Sequence, residues 1–300
     1  MCRPLRFGFN EQTGSDNEFQ HKPSKQEAET VLTSALSEFD NAVNQLTEHG
    51  VEVLVLEHPE DLHVPDAVFP NNWFTTHSDG TVLLYPMKTA NRKIEVIPQK
   101  LNALLENSGY RIKNIEDITE SLNQNQILEG TGAIIFDHEY QQAYTALSDR
   151  CEQAIVEAYC QKYGWQSNIF NATSSHGKSV YHTNVVMSIG SEFAVICGES
   201  IAKTERTIIF EKLESCKKKV IDISFEQMER YFCGNILEVK NSKDETTIVM
   251  SQSAWRGFNT TQRKQLENLG HCLINDVHTI EHIGGGSMRC MMAENFLPSK

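Results

Sequence analysis

Glu129, His182 and Cys290 lie far apart in the chain, yet each sits where polar side chains abut glycine or interrupt an apolar run. Their stretches are ILEGTGAIIF (127–136), YHTNVVM (181–187) and GGGSMRCMMAE (284–294); PDAVFPNNWF (65–74) has the same character. A thiol, an imidazole and a carboxylate are the ingredients of thiol-based covalent catalysis, in which sulfur attacks and the imidazole moves protons. Singly, each residue has a plainer reading. Glu129 suits a turn on the surface, His182 a satisfied strand histidine, and Cys290 an inert buried thiol unless a base or positive surroundings activate it. The combination points to a site. The glycine triplet 284–286 adds to it, because glycine runs weaken regular structure and mark strained geometry or close backbone approach.

The elements that must position these residues alternate along the chain. Leu32, Leu36, Phe39, Val43 and Leu46 recur at the helical period, predicting a helix that ends near Gly50, and VEVLVLEH (51–58) follows as a strand. TVLLYPM (81–87) reads as a strand, 92–109 as a helix, AIIFDH (133–138) as a strand and 148–164 as a helix. VYHTNVVMSIG and EFAVICGES read as neighbouring strands with a Gly190-Ser191 turn. KVIDIS, SFEQMERYF, TIVMSQSAW and TTQRKQLENLG continue as strand, helix, strand and helix. No linker or low-complexity tract interrupts the series, which predicts one continuous α/β domain over 1–300.

Composition excludes several classes. A chain of 300 residues with 39% hydrophobic content buries a substantial core. A net charge of −13 with scattered Lys and Arg argues against nucleic acid, and Lys217-Lys218-Lys219 reads as a solvated face. The eight cysteines form no CxxC pair, so they read as reduced thiols of a cytoplasmic protein. Neither a signal peptide nor a run of apolar residues long enough to span a membrane is evident.

In order along the chain, RPLRFGFNEQT, PDAVFPNNWF, LYPMKTANR, the Glu-Gly, the His-x-Asn and the Gly-Gly-Gly-x-x-Arg-Cys stretch resemble the guanidino-group-modifying enzymes of the pentein fold. These include arginine deiminases and dimethylarginine dimethylaminohydrolases, and the sequence most resembles the branch of citrulline-utilisation hydrolases. The resemblance implies a five-bladed α/β propeller of ββαβ modules with pseudo-fivefold symmetry, its site in the central funnel, and no metal or organic cofactor. It implies Cys290 as nucleophile, His182 as general acid/base and Glu129 as the carboxylate on the substrate's terminal nitrogens. Arg92 and Arg150 match arginines that bind an α-carboxylate, and guanidinium forks suit that planar anion. Asp66 matches a carboxylate near the α-amino group, and Phe69, Asn72 and Asn184 complete the expected substrate contacts.

One departure bears on the substrate. Where arginine deiminases carry aspartates, this sequence has Asn72 and Asn184. An amide donates as well as accepts, which suits the carbonyl of a ureido group, whereas a buried carboxylate facing a neutral ligand stays unpaired at a cost. The expectation is a cysteine hydrolase of the ureido C–N bond of a free amino acid, citrulline before others, giving ornithine, ammonia and carbon dioxide. A guanidino hydrolase using Asp66, an amidinotransferase, and a non-catalytic binding module of the same fold stand as alternatives. The expected partner is a small amino acid, with neither nucleic acid nor membrane, and a homo-oligomer is left open.

Overall fold

A computed structural model describes residues 1–120 and 126–300. Four three-stranded sheets repeat one pattern. They are β1 (Phe74–Thr76), β2 (Thr81–Leu84) and β3 (Asn114–Asp117); β4 (Ile135–Asp137), β5 (Gln142–Ala146) and β6 (Gln166–Phe170); β7 (Met187–Ile189), β8 (Phe193–Ile196) and β9 (Lys219–Asp222); β10 (Leu237–Lys240), β11 (Thr246–Ser251) and β12 (His271–Asn275). In each, the first two strands are antiparallel and the third runs parallel to the second. Parallel neighbours need a crossover, and a helix supplies it each time: Pro98–Asn107, Gln153–Tyr163, Lys203–Ser215 and Thr260–Glu267.

A fifth group repeats only the parallel, helix-connected half of this pattern, with less regular pairing. Residues 1–3 lie parallel to 54–56 through the Cys2–Leu56 bridge, and helix Lys25–Glu48 connects them. Ser24 and Glu27 form a capping box at its start, and Val31, Ala35, Phe39, Ala42 and Leu46 bury one face. Truncating the fully buried Phe39 to alanine would cost about 3–5 kcal/mol. First strands of successive sheets meet, β4 beside β7 and β7 beside β10. This is a mixed α/β fold. Among the described residues, no helix is long and apolar enough to cross a membrane.

Several expectations change. The helix over 92–109 is split into a turn at Ala90–Lys93 and a helix at Pro98–Asn107. Pro98 lacks an N–H and restricts Ile97, so the helix begins there. Residues 51–58 pair only around Leu56, because their partner segment is three residues long. The strand reading of VYHTNVVMSIG holds only for Met187–Ile189; Thr183–Val186 is a helical turn, fully buried and therefore without an alternating pattern. TIVMSQSAW ends as a strand at Ser251, whose side chain caps helix Gln252–Gly257 by accepting from Ala254 N–H. Lys218 is not solvated: it is buried with its ammonium 3.2 Å from Asp137 and donating to Ser191 O at 2.8 Å.

Candidate active site

Asn72, Glu129, His182 and Asn184 enter from short turns just before the first strand of a sheet. Turn Pro70–Asn72 leads into β1, Glu129 precedes turn Gly130–Ala133 and β4, and His182 precedes turn Thr183–Val186, carrying Asn184, and β7. Glycine lets these turns stack. A Cβ on Gly130, whose φ is +42°, would lie 2.5 Å from Asn71 O, and one on Gly132 would lie 2.8 Å from Asn72 Oδ1 and 2.9 Å from the His182 ring. Cys290 closes a turn after helix His278–Gly284, its N–H donating to Ser287 O at 3.0 Å. Gly285 adopts φ +65°, and Cβ atoms on Gly284 and Gly286 would come within 2.9 Å of the Phe69 ring. The glycine triplet thus provides left-handed backbone and a seat for an aromatic ring.

Asp66, Phe69, Asn72, Arg92, Arg150, His182 and Cys290 line one narrow cleft. Glu129 and Asn184 stand directly behind it, bonded to His182 and Cys290. A much larger apolar hollow, about 1430 Å³ and lined by Leu54, Leu101, Leu237 and Met292, contains none of the expected residues.

The Cys290 sulfur receives two amide donors, Asn184 Nδ2 and Asn235 Nδ2, both at 3.2 Å. Burial pushes the thiol above its ordinary range, opposed by Asn235, the Ser287 backbone, Arg289 and Asn184. His182 Nε2 lies 2.8 Å from Glu129 Oε2. A carboxylate only accepts, so Nε2 carries the proton and Nδ1 keeps its lone pair as a base. Burial lowers the His182 pKa against the pull of Glu129, which leaves the ring neutral near pH 7. Glu129 is fully buried; Arg150 donates to its Oε2 at 2.8 Å and Lys88 N–H to its Oε1 at 2.9 Å. Burial alone would raise this carboxyl, but Arg150, His182 and Arg92 hold it well below the usual range.

The arginines are held by protein acids. Arg150 grips Asp16 through Nε at 3.0 Å and Nη2 at 2.6 Å, and Lys88 reaches the same carboxylate at 2.6 Å. Arg92 pairs with Glu95 at 2.8 Å and donates to Phe69 O at 3.0 Å. Asp66 Oδ2 accepts from Asn10 at 2.7 Å and Thr13 at 2.8 Å, while its buried Oδ1 has no partner among the described residues. Asn71 satisfies its surroundings with its nitrogen toward Cys290 O and Asn72 Oδ1, each at 2.7 Å. With its oxygen so engaged, the Asn72 NH2 has no hydrogen-bond partner among the described residues.

Sequence reasoning missed Asn235, although YFCGNIL shows the same polar residue beside glycine within an apolar run. It also missed Asp16 and Lys88, whose charges look like ordinary surface residues in sequence.

Residues 3–297 match the model of the eukaryotic N,N-dimethylarginine dimethylhydrolase family. The chain belongs to that family. As a member it falls in the pentein superfamily of guanidino-group-modifying enzymes and is a hydrolase of carbon–nitrogen bonds other than peptide bonds. No curated protein matches the sequence. Among solved structures, the chain is similar to the apo form of ArgZ, an arginine dihydrolase from the ornithine-ammonia cycle in cyanobacteria. The TM-score is 0.72 at 17% identity, covering 97% of this chain and 39% of that protein's length. The N-terminal domain of ArgZ with bound substrate, a cysteine-to-serine variant, gives 0.70 at 16% identity over 99% and 98% of the two chains. The dimethylarginine dimethylhydrolase-type enzyme DDAH of Pseudomonas aeruginosa, a cysteine-to-serine variant with citrulline, gives 0.67 at 16% over 97% and 95%. At these identities the likeness speaks to the fold.

Proposed function

We propose that this family member is a cysteine hydrolase of the side-chain ureido group of a free amino acid, with citrulline as substrate. The observation that carries the reading is the neutral character of the groups around the sulfur: Asn184 on Cys290 and the Asn72 NH2, which has no partner among the described residues. The Asn72 hydrogens suit a carbonyl oxygen and face like donors in a guanidinium, while the Asn184 NH2 is turned to the sulfur and its buried Oδ1, without a partner among the described residues, accepts an N–H of either group.

In this reading the Cys290 thiol gives its proton to His182 Nδ1 as its sulfur adds to the ureido carbon, and His182 passes that proton to the departing nitrogen, releasing ammonia and leaving a thiocarbamate. His182 then deprotonates water, which breaks the C–S bond and releases a carbamate that loses carbon dioxide to give ornithine. Glu129, with its oxygens taken by His182, Arg150 and Lys88, orients His182 and holds its tautomer instead of gripping substrate nitrogens. Arg92 and Arg150 form the carboxylate end, the unpartnered Asp66 oxygen takes the α-ammonium, and Phe69 floors the cleft. Residues 1–300 form one domain, a five-bladed propeller whose fifth blade is the group around Cys2–Leu56, working in the cytoplasm.

A guanidino substrate, arginine or a methylated arginine, is the second reading. The free Asp66 carboxylate oxygen and the family's dimethylarginine namesake favour it. Ammonia and methylamine release, measured in competition among citrulline, arginine and methylated arginines, decides between them. Citrulline should lead by roughly two to four powers of ten in kcat/KM, the scale of two mismatched buried groups. Arginine hydrolysed as efficiently as citrulline would replace the first reading with the second.

A further inference from the structure

We infer that Asn235 is a further residue of the reaction centre, holding the Cys290 sulfur together with Asn184 as it gains and returns negative charge. The inference rests on Cys290 being the nucleophile. Three of the four complete sheets deliver chemical groups through the turn before their first strand, namely Asn72, Glu129, and His182 with Asn184. Asn235 sits at the same place before β10, two residues ahead of Leu237.

Its two amide hydrogens are both committed. One goes to Cys290 Sγ at 3.2 Å and the other to Asn184 O at 2.8 Å. Its Oδ1 lies 3.6 Å from the same sulfur, in reach as acceptor for the S–H. One carboxamide therefore serves both protonation states, accepting from the thiol and donating to the thiolate. When the C–S bond of the intermediate breaks, its electron pair returns to a sulfur that already faces two N–H donors. Donors preorganised where charge develops are the most effective kind.

The local backbone is bent to this purpose. Phe232 holds a left-handed φ of +56°, uncommon for a bulky residue, and the Asn235 N–H closes the turn onto Phe232 O at 2.9 Å. Gly234 presses against the neighbouring turn so closely that a Cβ would lie 2.3 Å from Val185 O. Asn235 itself is fully buried. An amide also leaves the local charge unchanged. Arg289 adjoins the sulfur, Tyr181 and His182 approach from the Asn184 segment, and Asp66, Arg92 and Arg150 stand across the cleft.

A simpler role, in which Asn235 only props the Asn184 carbonyl, predicts lower stability without a change in thiol acidity. The test is the pH dependence of iodoacetamide alkylation at Cys290, read by peptide mass spectrometry so that the other cysteines do not interfere, alongside steady-state kinetics. Asn235→Ala should slow alkylation at pH 8 about tenfold and move its midpoint toward alkaline pH. It should also lower kcat about ten- to a hundredfold with KM within about threefold, the scale of a hydrogen bond to a charged group. Asn235→Asp keeps the shape, replaces the donor with a carboxylate and should move the midpoint further; it decides the matter if the alanine variant does not fold. Midpoints matching wild type in the folded variants would overturn the role. Activity surviving in Cys290→Ala would instead overturn the nucleophile reading, so the two failures are distinct.

Discussion

On the sulfur side of the cleft, uncharged amides do the holding: Asn184 and Asn235 on Cys290, with Asn72 beside them. On the other side, Arg150, Lys88, Asp16 and Glu129 form a chain of full charges, linked at 2.6–2.8 Å. Two positive and two negative groups cancel there. The charged wall is thus internally compensated, as buried charges must be, and its rigidity fixes His182 through Glu129. The amide wall carries no charge until the sulfur does. Full charges thus meet on one side of the site and uncharged amides on the other.

The most severe way to break this division is to remove the atom on which charge develops. Cys290→Ala should lower kcat by about a millionfold, the scale set by loss of a catalytic nucleophile, with the fold retained by circular dichroism. Retention of more than about a thousandth of the activity would exclude covalent catalysis at this sulfur.

Charging the neutral wall is the next test. Asn72→Asp with Asn184→Asp should shift the citrulline-to-arginine ratio of kcat/KM toward arginine by about two powers of ten or more. An unchanged ratio in the double variant would mean that the amides do not select the substrate.

Neutralising the charged wall should cost both activity and stability. Glu129→Gln should reduce kcat about a hundredfold, because His182 loses the carboxylate that fixes its tautomer. It should also destabilise the fold by about 3 kcal/mol at pH 7, since Arg150 and His182 lose a buried anion. The Glu129 carboxyl is held low in the folded state. Its stabilisation is therefore complete above its unfolded pKa of about 4.3 and fades as pH falls toward the folded value. Denaturant melts of wild type and variant should converge in acid; a constant gap between them down to pH 2 would contradict this account.

The smallest effect is expected at the anchoring end. Arg150→Lys keeps the charge and loses the fork on Asp16 and Glu129, so KM should rise about tenfold while kcat falls less than in Glu129→Gln. A loss confined to kcat would place Arg150 with the chemistry and not with anchoring.

The sequence carried the site's ingredients better than its wiring. Cys290, His182, Asn72 and the two arginines share one cleft; among the stretches singled out, those of Glu129 and Cys290 placed glycine near the polar residue, and those glycines prove to be points of close approach. Glu129 was legible as important but not as the partner of His182, since that bond joins residues 53 apart. Asp16 gave no signal, because its partner Arg150 lies 134 residues away. Helical crossovers were legible from periodicity except Lys203–Ser215, whose buried face is only Ile209 and Leu213 and so shows too sparse a stripe. Short strands such as β1 and β4 carry too few residues to show a period, and the buried turn Thr183–Val186 mimics an apolar strand.

The delivery of each group by a separate turn has a consequence for how the chain becomes active. The bonds that complete the sulfur's surroundings, Asn184 to Cys290 and Asn235 to Cys290, close loops of 106 and 55 residues. Such long closures form late and slowly, after the local strand–helix units that they join. No stretch shorter than the span from Asp66 to Cys290 contains the expected groups. Recovery of turnover during refolding should therefore lag behind recovery of helical signal, making activity a timer for the last tertiary contacts.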